Sequence, residues 1–156
     1  MPIDDARFKE ALSHFASGVT VVTTEHEEKP YGMTVASFAS LSLHPPLVLV
    51  CVAKAVKTHA ALLASGVFGV SILSSTQADL SNRFASKIDD KFEGVSVRRG
   101  SHGIPLLEGA ICTLECKVHE QFASGDHTIF VGEVLDAQVG EGKPLAYYRS
   151  GYREIT

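Results

Sequence analysis

The chain contains 156 residues with a formal net charge of −4; 45% of them are apolar and 21% are charged. Because this much apolar surface can form a core, the composition excludes an intrinsically disordered chain. The acidic balance argues against a nucleic-acid-binding protein, since such proteins concentrate lysine and arginine on one face. No apolar run suits a signal peptide or a membrane span, so we expect one cytoplasmic domain over residues 1–156.

The N-terminal segment predicts an amphipathic helix. Asp4 or Asp5 can cap it, because a carboxylate accepts hydrogen bonds from the free amides of the first turn. Its apolar residues recur at helical spacing: Phe8, Leu12 and Phe15. We expect this apolar face to pack on a sheet.

Predicted strands dominate the rest of the chain. Segments rich in β-branched or alternating apolar residues are residues 19–24, 31–40, 47–53, 67–73, 110–120 and 127–139. Residues 47–53 are apolar throughout, so we expect this strand to be buried on both faces, either as a central strand or as one covered by a partner subunit. In residues 110–120 the even-numbered positions from Ala110 to Val118 should face inward, whereas Glu115 and its odd-numbered neighbours should face outward.

Two further short helices are predicted between these strands. Thr58 should cap the first, which ends at Gly66, a residue suited to the left-handed conformation. Thr76, with Asp79 three positions later, resembles a capping box that opens the second. Strands and helices do not alternate as a parallel sheet requires, so we predict a mainly β fold, an antiparallel barrel with peripheral helices.

We interpret the three cysteines as small buried hydrophobic residues. Cys112 and Cys116 lie four positions apart in a predicted strand, so their Cα atoms should be about 13 Å apart, too far for a direct disulfide. With His119 they could form a metal cluster, but structural zinc sites use two close ligand pairs and this segment has one loose pair. No metal site is therefore predicted.

Residues 32–51 form the most informative segment. A strand of small residues meets an apolar strand at a corner containing Pro45 and Pro46. Small side chains leave the backbone open to a flat ring, and several hydroxyls lie nearby: Thr34, Ser37, Ser40 and Ser42. The alternative is a plain hairpin strand, turn and core strand. The chain lacks the glycine motifs of Rossmann and P-loop sites and the nucleophile motif of serine hydrolases.

Several cations could hold a phosphate. Lys54, Lys57 and Thr58 follow an apolar strand and precede a predicted helix, where positive charge and free amides suit an anion. Arg83, near the end of the next helix, could add a bidentate contact. The alternative is that these residues are ordinary surface cations.

A histidine and two tyrosines are further candidates. His127 follows Gly125 and Asp126 at the start of a predicted strand, where a side chain projects into a cleft mouth. A lone histidine is more often structural, hydrogen-bonded to a neighbour such as Asp126. Tyr148 and Tyr152 could stack on a ring or cap the barrel, and packing is the favoured interpretation for Tyr148.

In this order, the Gly-Met-Thr segment at 32–34, the Pro-Pro corner and the Gly-Asp-His segment at 125–127 resemble the short-chain flavin reductases. These enzymes supply reduced flavin to two-component flavin-dependent monooxygenases. The resemblance covers nearly the full chain. It departs at Ser71, where the family often has Asn, and at His44, where Asp is common before the prolines.

The resemblance implies a flavin-binding split barrel, a Greek-key antiparallel fold that works as a homodimer. It places His127 beside the flavin as a catalytic residue that contacts the nicotinamide. It also implies cofactor-binding roles for Met33, Thr34, Val35, Ala36, Ser37, Ser40, Cys51, Val52, Ala53, Lys57, Thr58, Arg83, Phe84 and Tyr152.

The implied reaction is hydride transfer from NADH or NADPH to FAD or FMN, with reduced flavin passing to a partner monooxygenase. One alternative is a flavoprotein of the same fold that retains its flavin and reduces a ferric chelate or a corrinoid. Another is a non-enzymatic flavin-binding or redox-sensing module. A purely structural barrel would bind no flavin.

Overall fold

The computed structural model describes residues 1–156. The helices are α1 (Asp5–Leu12), α2 (Lys57–Ser65) and α3 (Ala78–Ala85). The strands are β1 (Ser17–Gly18), β2 (Thr20–His26), β3 (Lys29–Val35), β4 (Phe38–Ser42), β5 (Leu47–Ala53), β6 (Val67–Ile72), β7 (Val97–Arg99), β8 (Pro105–Leu107), β9 (Cys112–Ser124), β10 (His127–Val139), β11 (Ala146–Tyr148) and β12 (Gly151–Arg153). None of the three helices has the length and apolar character needed to cross a membrane.

Seven strands form the main sheet in the order β3-β2-β6-β9-β10-β5-β4. Every neighbouring pair in it is antiparallel, which confirms the predicted mainly β, antiparallel fold class. The sheet has two edges, β3 and β4, and is therefore open, as in a split barrel, and not a closed barrel. Smaller sheets contain β1, β11 and β12, and β7 with β8.

Strand β2 separates two hydrophobic clusters. Val22 packs in the first with Leu62 of α2, whereas Val21, its neighbour on the opposite face, packs in the second with Phe84 of α3. Successive side chains of a strand point to opposite faces, so both faces of the sheet are covered at this strand. Helices α2 and α3 are thereby fixed against the sheet.

Strand β5 has the predicted bounds but is buried on one face only. Val48, Val50 and Val52 lie in the core, with exposed fractions of 7%, 0% and 0%. The alternate residues, from Leu47 to Ala53, are half-buried. Burial of both faces within this chain is therefore wrong, whereas cover of the second face by a partner subunit stays a prediction. Strand β5 presents a partly open row of side chains.

Helix α1 also departs from expectation. Asp4 caps it, accepting a hydrogen bond from the Arg7 amide at 2.9 Å, but no α1 residue is buried. Phe8, Leu12 and Phe15 have exposed fractions of 53%, 55% and 80%. The predicted packing of this face on the chain's own sheet is wrong, and an apolar surface is left uncovered.

Strand β9 reverses part of its predicted orientation. Glu115 was expected to face outward, yet it is 2% exposed. Its carboxylate accepts hydrogen bonds from the amides of His102 at 3.0 Å and Ile104 at 3.3 Å and from the Ser101 hydroxyl at 3.4 Å. The loop between β7 and β8 therefore covers this face of β9. The alternation of apolar and polar residues within β9 could not show this, because the covering residues lie in another segment. A side chain at Gly100 would collide with the same carboxylate.

The predicted caps of α2 and α3 are wrong at their N-termini. Thr58 is buried in the first turn of α2, and Val56 precedes that helix without a side-chain cap. Gln77 precedes α3, while the Thr76 hydroxyl lies 3.0 Å from that of Ser74. Gly66 ends α2 with φ of 71°, as predicted. Thr58 is therefore packed in the core and Thr76 pairs with a neighbouring hydroxyl, so neither side chain caps its helix.

Two strand boundaries also differ from expectation. Strand β2 continues to His26, because only Glu27 and Glu28 form the turn, each with positive φ. The predicted strand over residues 31–40 is interrupted at Ala36 and Ser37, which separate β3 from β4. The second difference matters for the site, since it exposes backbone between two strands.

All three cysteines are free thiols. Cys116 is fully buried in the first cluster, as predicted, whereas Cys51 and Cys112 are half-buried. Burial, with the nearby Glu115 charge, raises the pKa of the Cys116 thiol to about 12. This thiol therefore stays protonated at neutral pH.

Replacing Glu115 with alanine should lower the free energy of unfolding by about 2–3 kcal/mol, because buried amides lose their acceptor. Urea unfolding of Glu115→Ala and Glu120→Ala would measure this. Glu120 lies on the same strand but is exposed, so its variant should stay close to wild type. Equal losses in both variants would contradict the assigned role of Glu115.

Candidate active site

The partly open face of β5 continues onto β10. Ala53 pairs with His127 and Cys51 with Ile129 in the antiparallel register, so these side chains share a face. The Cys51 amide donates to the Ser37 carbonyl at 3.1 Å, which joins the β3–β4 break to the same surface. The structure thus brings together His127, Ala53, Cys51 and Ser37, four of the residues named from the sequence.

A groove of about 590 Å³ runs beside this surface. Its lining combines the β3–β4 break and its neighbours with the uncovered side of α1: Ala36, Ser37, Phe38, Ala39, Leu49, Phe8, Lys9, Leu12, Phe15, Ser13, Ser17, Tyr147 and Ser150. Ala36 and Ser37 are exposed. The size and apolar lining are typical of small-molecule sites. Ser40, in β4, is exposed as well.

His127 is held by its neighbour. Its Nδ1 lies 2.7 Å from Oδ1 of Asp126, and the side chains of the two residues are 45% and 97% exposed. The hydrogen bond from His127 is the main reason that the pKa of Asp126 is lowered. A carboxylate only accepts hydrogen bonds, so Nδ1 is the donor and Nε2 is left to meet a ligand.

Thr34 and Tyr152 meet through α3. The Thr34 hydroxyl donates to the Ser81 carbonyl at 2.6 Å, and the Tyr152 hydroxyl lies 2.7 Å from Ser81 Oγ and 2.9 Å from Asn82 Oδ1. Thr34 therefore helps to attach α3 to β3, and Tyr152 helps to attach α3 to β12. Ser81 and Asn82 had no sequence signal, since their partners lie far away along the chain.

Arg83 holds a loop. Its Nε donates to the Lys91 carbonyl at 2.6 Å, and its Nη2 donates to the carbonyls of Asp90 and Glu93, both at 3.0 Å. These contacts occupy two of its three nitrogens. Arg83 therefore organises the segment after α3, and only Nη1 is left for an anion.

Lys91 was missed by sequence reasoning, which interpreted its segment as a polar connection. Its Nζ donates to the carbonyls of Gly32 at 3.1 Å and Phe84 at 2.9 Å. Partial burial lowers its pKa. A lysine in a charged run gives no signal that it points inward, so this contact between the loop and the edge of β3 required the structure.

Several residues named from the sequence present no side chain to a ligand. Val52 and Phe84 are 0% exposed, and Val35 and Thr58 are each 3% exposed. Met33 is half-buried against the first cluster. Because their side chains are packed against protein, these five residues can contact a cofactor chiefly through their backbone amides and carbonyls.

Gly32 has a different role from the one that its small size indicated. A Cβ atom there would lie 2.9 Å from the Phe84 ring and 3.2 Å from the Phe92 ring. These two rings meet edge to face at 5.0 Å. The space left by Gly32 is therefore filled by α3 and the following loop, and the open cradle is confined to the β3–β4 break.

Two lysines near the start of α2 differ in their surroundings. Lys57 is 75% exposed and lies 3.5 Å from Asp89, its only charged partner. Lys54 donates from Nζ to the Gly125 carbonyl at 2.8 Å and from its amide to the Asp126 carbonyl at 2.9 Å. One of the three N–H donors of Lys54 Nζ therefore binds the turn, whereas the Lys57 ammonium group makes only the exposed ion pair with Asp89.

The family model described as "Flavin reductase like domain" matches residues 12–156. The reductase component of 4-nitrophenol 4-monooxygenase/4-nitrocatechol 2-monooxygenase from Rhodococcus opacus is 44% identical, over 97% of this chain and 81% of that protein. An NADH-dependent flavin reductase from Rhodococcus sp. is 40% identical, over 94% of this chain and 84% of that protein.

Among solved structures, the NADH:FAD oxidoreductase of Streptomyces globisporus C-1027, in complex with NAD and FAD fragments, superimposes with a TM-score of 0.94. It is 38% identical and covers 98% of this chain and 93% of that chain. Both sequence and architecture therefore agree over nearly the full length. The chain belongs to the flavin reductase like domain family.

Proposed function

We propose that this protein is an NAD(P)H-dependent flavin reductase, which transfers a hydride from NADH or NADPH to FAD or FMN and supplies reduced flavin to a partner monooxygenase. The observation that carries this proposal is the shared face of His127, Ala53, Cys51 and Ser37 beside an open groove in a chain of this family. The similar proteins are named as flavin reductases or as reductase components of monooxygenases. We also propose that residues 1–156 act as one domain in the cytoplasm.

The residues at the β3–β4 break fit a flat ring. Ala36 and Ser37 are exposed and carry little side-chain bulk. Their carbonyls accept from the amides of Phe38 and Cys51, whereas their own amides have no backbone acceptor and are available to a ligand. The adjoining groove, about 590 Å³, falls within the usual size range of ligand sites. Ala39, which pairs with Leu49, and Cys51 would line the same area, whereas Ser40 pairs with Val48 and lies on the opposite face.

When bound, the flavin and nicotinamide would supply the redox chemistry, the transfer of a hydride from one to the other, so the protein itself needs no acid–base pair or nucleophile. The protein then has to bind and orient them. His127 Nε2 faces outward beside Ala53 and would hydrogen-bond the nicotinamide nucleotide. Lys57, at the start of α2, would attract a flavin phosphate, helped by the free amides of that helix.

We also propose that the protein is a homodimer. Helix α1 buries none of its residues, and its apolar side chains line the same groove as Ala36 and Ser37. Apolar side chains gathered in this way usually mark an interface. A second copy would cover Phe8, Leu12 and Phe15 and would close one side of the groove.

The first test follows NADH oxidation by the purified protein with and without added FAD or FMN. The proposal expects turnover that rises and saturates with added flavin, because flavin is then a diffusible substrate. Fast turnover independent of added flavin would indicate a retained flavin and another acceptor. No turnover with NADH or NADPH by folded protein would contradict the enzymatic function.

Replacing His127 with alanine should raise the KM for NADH about 3- to 10-fold, the loss expected for one hydrogen bond to the nicotinamide nucleotide. The KM for flavin should change less than about twofold. Steady-state kinetics of His127→Ala and of His119→Ala, a histidine exposed on β9, would measure both. Unchanged KM for NADH and unchanged kcat in His127→Ala would refute this role.

Introducing a charge at Phe15 should dissociate the proposed dimer, since an unpaired carboxylate is costly at an apolar contact. Light scattering coupled to size exclusion should give a dimer for wild type and a monomer for Phe15→Glu. Val139→Glu is a control, because Val139 is 85% exposed but does not line the groove. A wild-type monomer at micromolar concentration would contradict the proposal.

A further inference from the structure

We propose that Lys54 and Asp126 are positioning residues, which act through His127 to set the affinity for the nicotinamide nucleotide. The inference rests on the role proposed above for His127. Neither residue needs to touch either substrate. Lys54 fixes the backbone before His127, and Asp126 fixes its ring.

Lys54 binds both residues of the turn between β9 and β10. Its amide donates to the Asp126 carbonyl at 2.9 Å, and its Nζ donates to the Gly125 carbonyl at 2.8 Å. Ala53, the preceding residue, pairs with His127. The two Lys54 contacts therefore extend the β5–β10 pairing past His127 and anchor the turn to β5.

The turn needs such an anchor. Residues 119–126 at the end of the β9–β10 hairpin are all exposed, so no core contact holds them. Gly125 has φ of 60°, which supplies the reversal of the chain without fixing it to the rest of the sheet. Exposed hairpin ends with few buried contacts open most readily. Lys54 is the contact that ties this end to a strand of the core.

Asp126 then selects the nitrogen that His127 presents. Its Oδ1 lies 2.7 Å from His127 Nδ1, so the ring is held with Nε2 directed away from the carboxylate. The lowered pKa of Asp126 has the His127 hydrogen bond as its main cause, with a smaller contribution from the Lys54 charge. The carboxylate is therefore ionised at neutral pH and serves as an acceptor.

Lys54 and Lys57 were assigned the same role from the sequence, binding a phosphate, but their contacts differ in the structure. Both were candidates for a flavin phosphate, yet the Lys54 ammonium group is bound to a carbonyl and Lys57 has only the exposed Asp89 at 3.5 Å. Loss of the Lys54 amine should consequently affect the nicotinamide nucleotide. Loss of the Lys57 amine should affect flavin.

Steady-state kinetics with varied NADH and varied flavin would test this. Lys54→Met keeps the length of the side chain but removes the donor, and Asp126→Ala removes the acceptor. Each should raise the KM for NADH about 3- to 10-fold and leave kcat and the KM for flavin within about twofold. Lys54→Arg and Asp126→Asn retain a donor and an acceptor and should stay closer to wild type.

Two comparisons make the test specific. Asp126→Ala should cost nothing further in a His127→Ala background, because Asp126 acts through that ring. Lys57→Met should raise the KM for flavin instead of that for NADH. Thermal unfolding of each variant should match wild type, since both Lys54 and Asp126 are exposed.

Three results would overturn the inference and leave the role of His127 standing. One is a raised KM for flavin in Lys54→Met, which would make Lys54 a phosphate ligand. Another is a full additional loss from Asp126→Ala in the His127→Ala background. The third is an unchanged KM for NADH in Lys54→Met and Asp126→Ala while His127→Ala raises it, which would leave the proposed function standing. Unchanged KM for NADH and unchanged kcat in His127→Ala would overturn the role proposed for His127 and this inference with it, whereas the reductase function is tested separately by NADH oxidation.

Discussion

The register of the β5–β10 pair is the constraint on which the site depends. Because side chains alternate along a strand, pairing Ala53 with His127 places Val52 and Thr128 in the core, at exposed fractions of 0% and 4%. The other face then stays open. A shift of β10 by one residue would bury His127, and a shift of β5 by one residue would expose its valines, so the apolar core of β5 and the position of His127 are specified together.

A second requirement is that the loop after α3 must find partners for its backbone without regular structure. Arg83 donates to three carbonyls of the loop, and Lys91 donates from the loop to the carbonyls of Gly32 in β3 and Phe84 in α3. Buried or partly buried carbonyls without a partner would be costly. Arg83 and Lys91, which would otherwise attract anionic ligands, therefore mainly hold the backbone in place. Lys57, at the start of α2, remains accessible to an anion.

The sequence predicted features that depend on neighbouring residues. The bounds of β5, the end of α2 at Gly66 and the resemblance carried by the Gly-Asp-His segment are local patterns, and each was found. The roles of Glu115, Lys91 and Lys54 were not, because each side chain binds a segment far away along the chain. Amphipathic spacing identified the α1 helix but could not show what covers its apolar face.

The side chains at positions 32 and 84 compete for the same space. The ring of Phe84 fills the space where a Gly32 side chain would lie, so a larger residue at position 32 requires a smaller one at position 84. The two positions should therefore be free to vary only as a matched pair, with total volume conserved. The glycine at the start of this segment is in that sense a packing partner of α3, and its identity is restricted even if the ligand of the neighbouring groove changes.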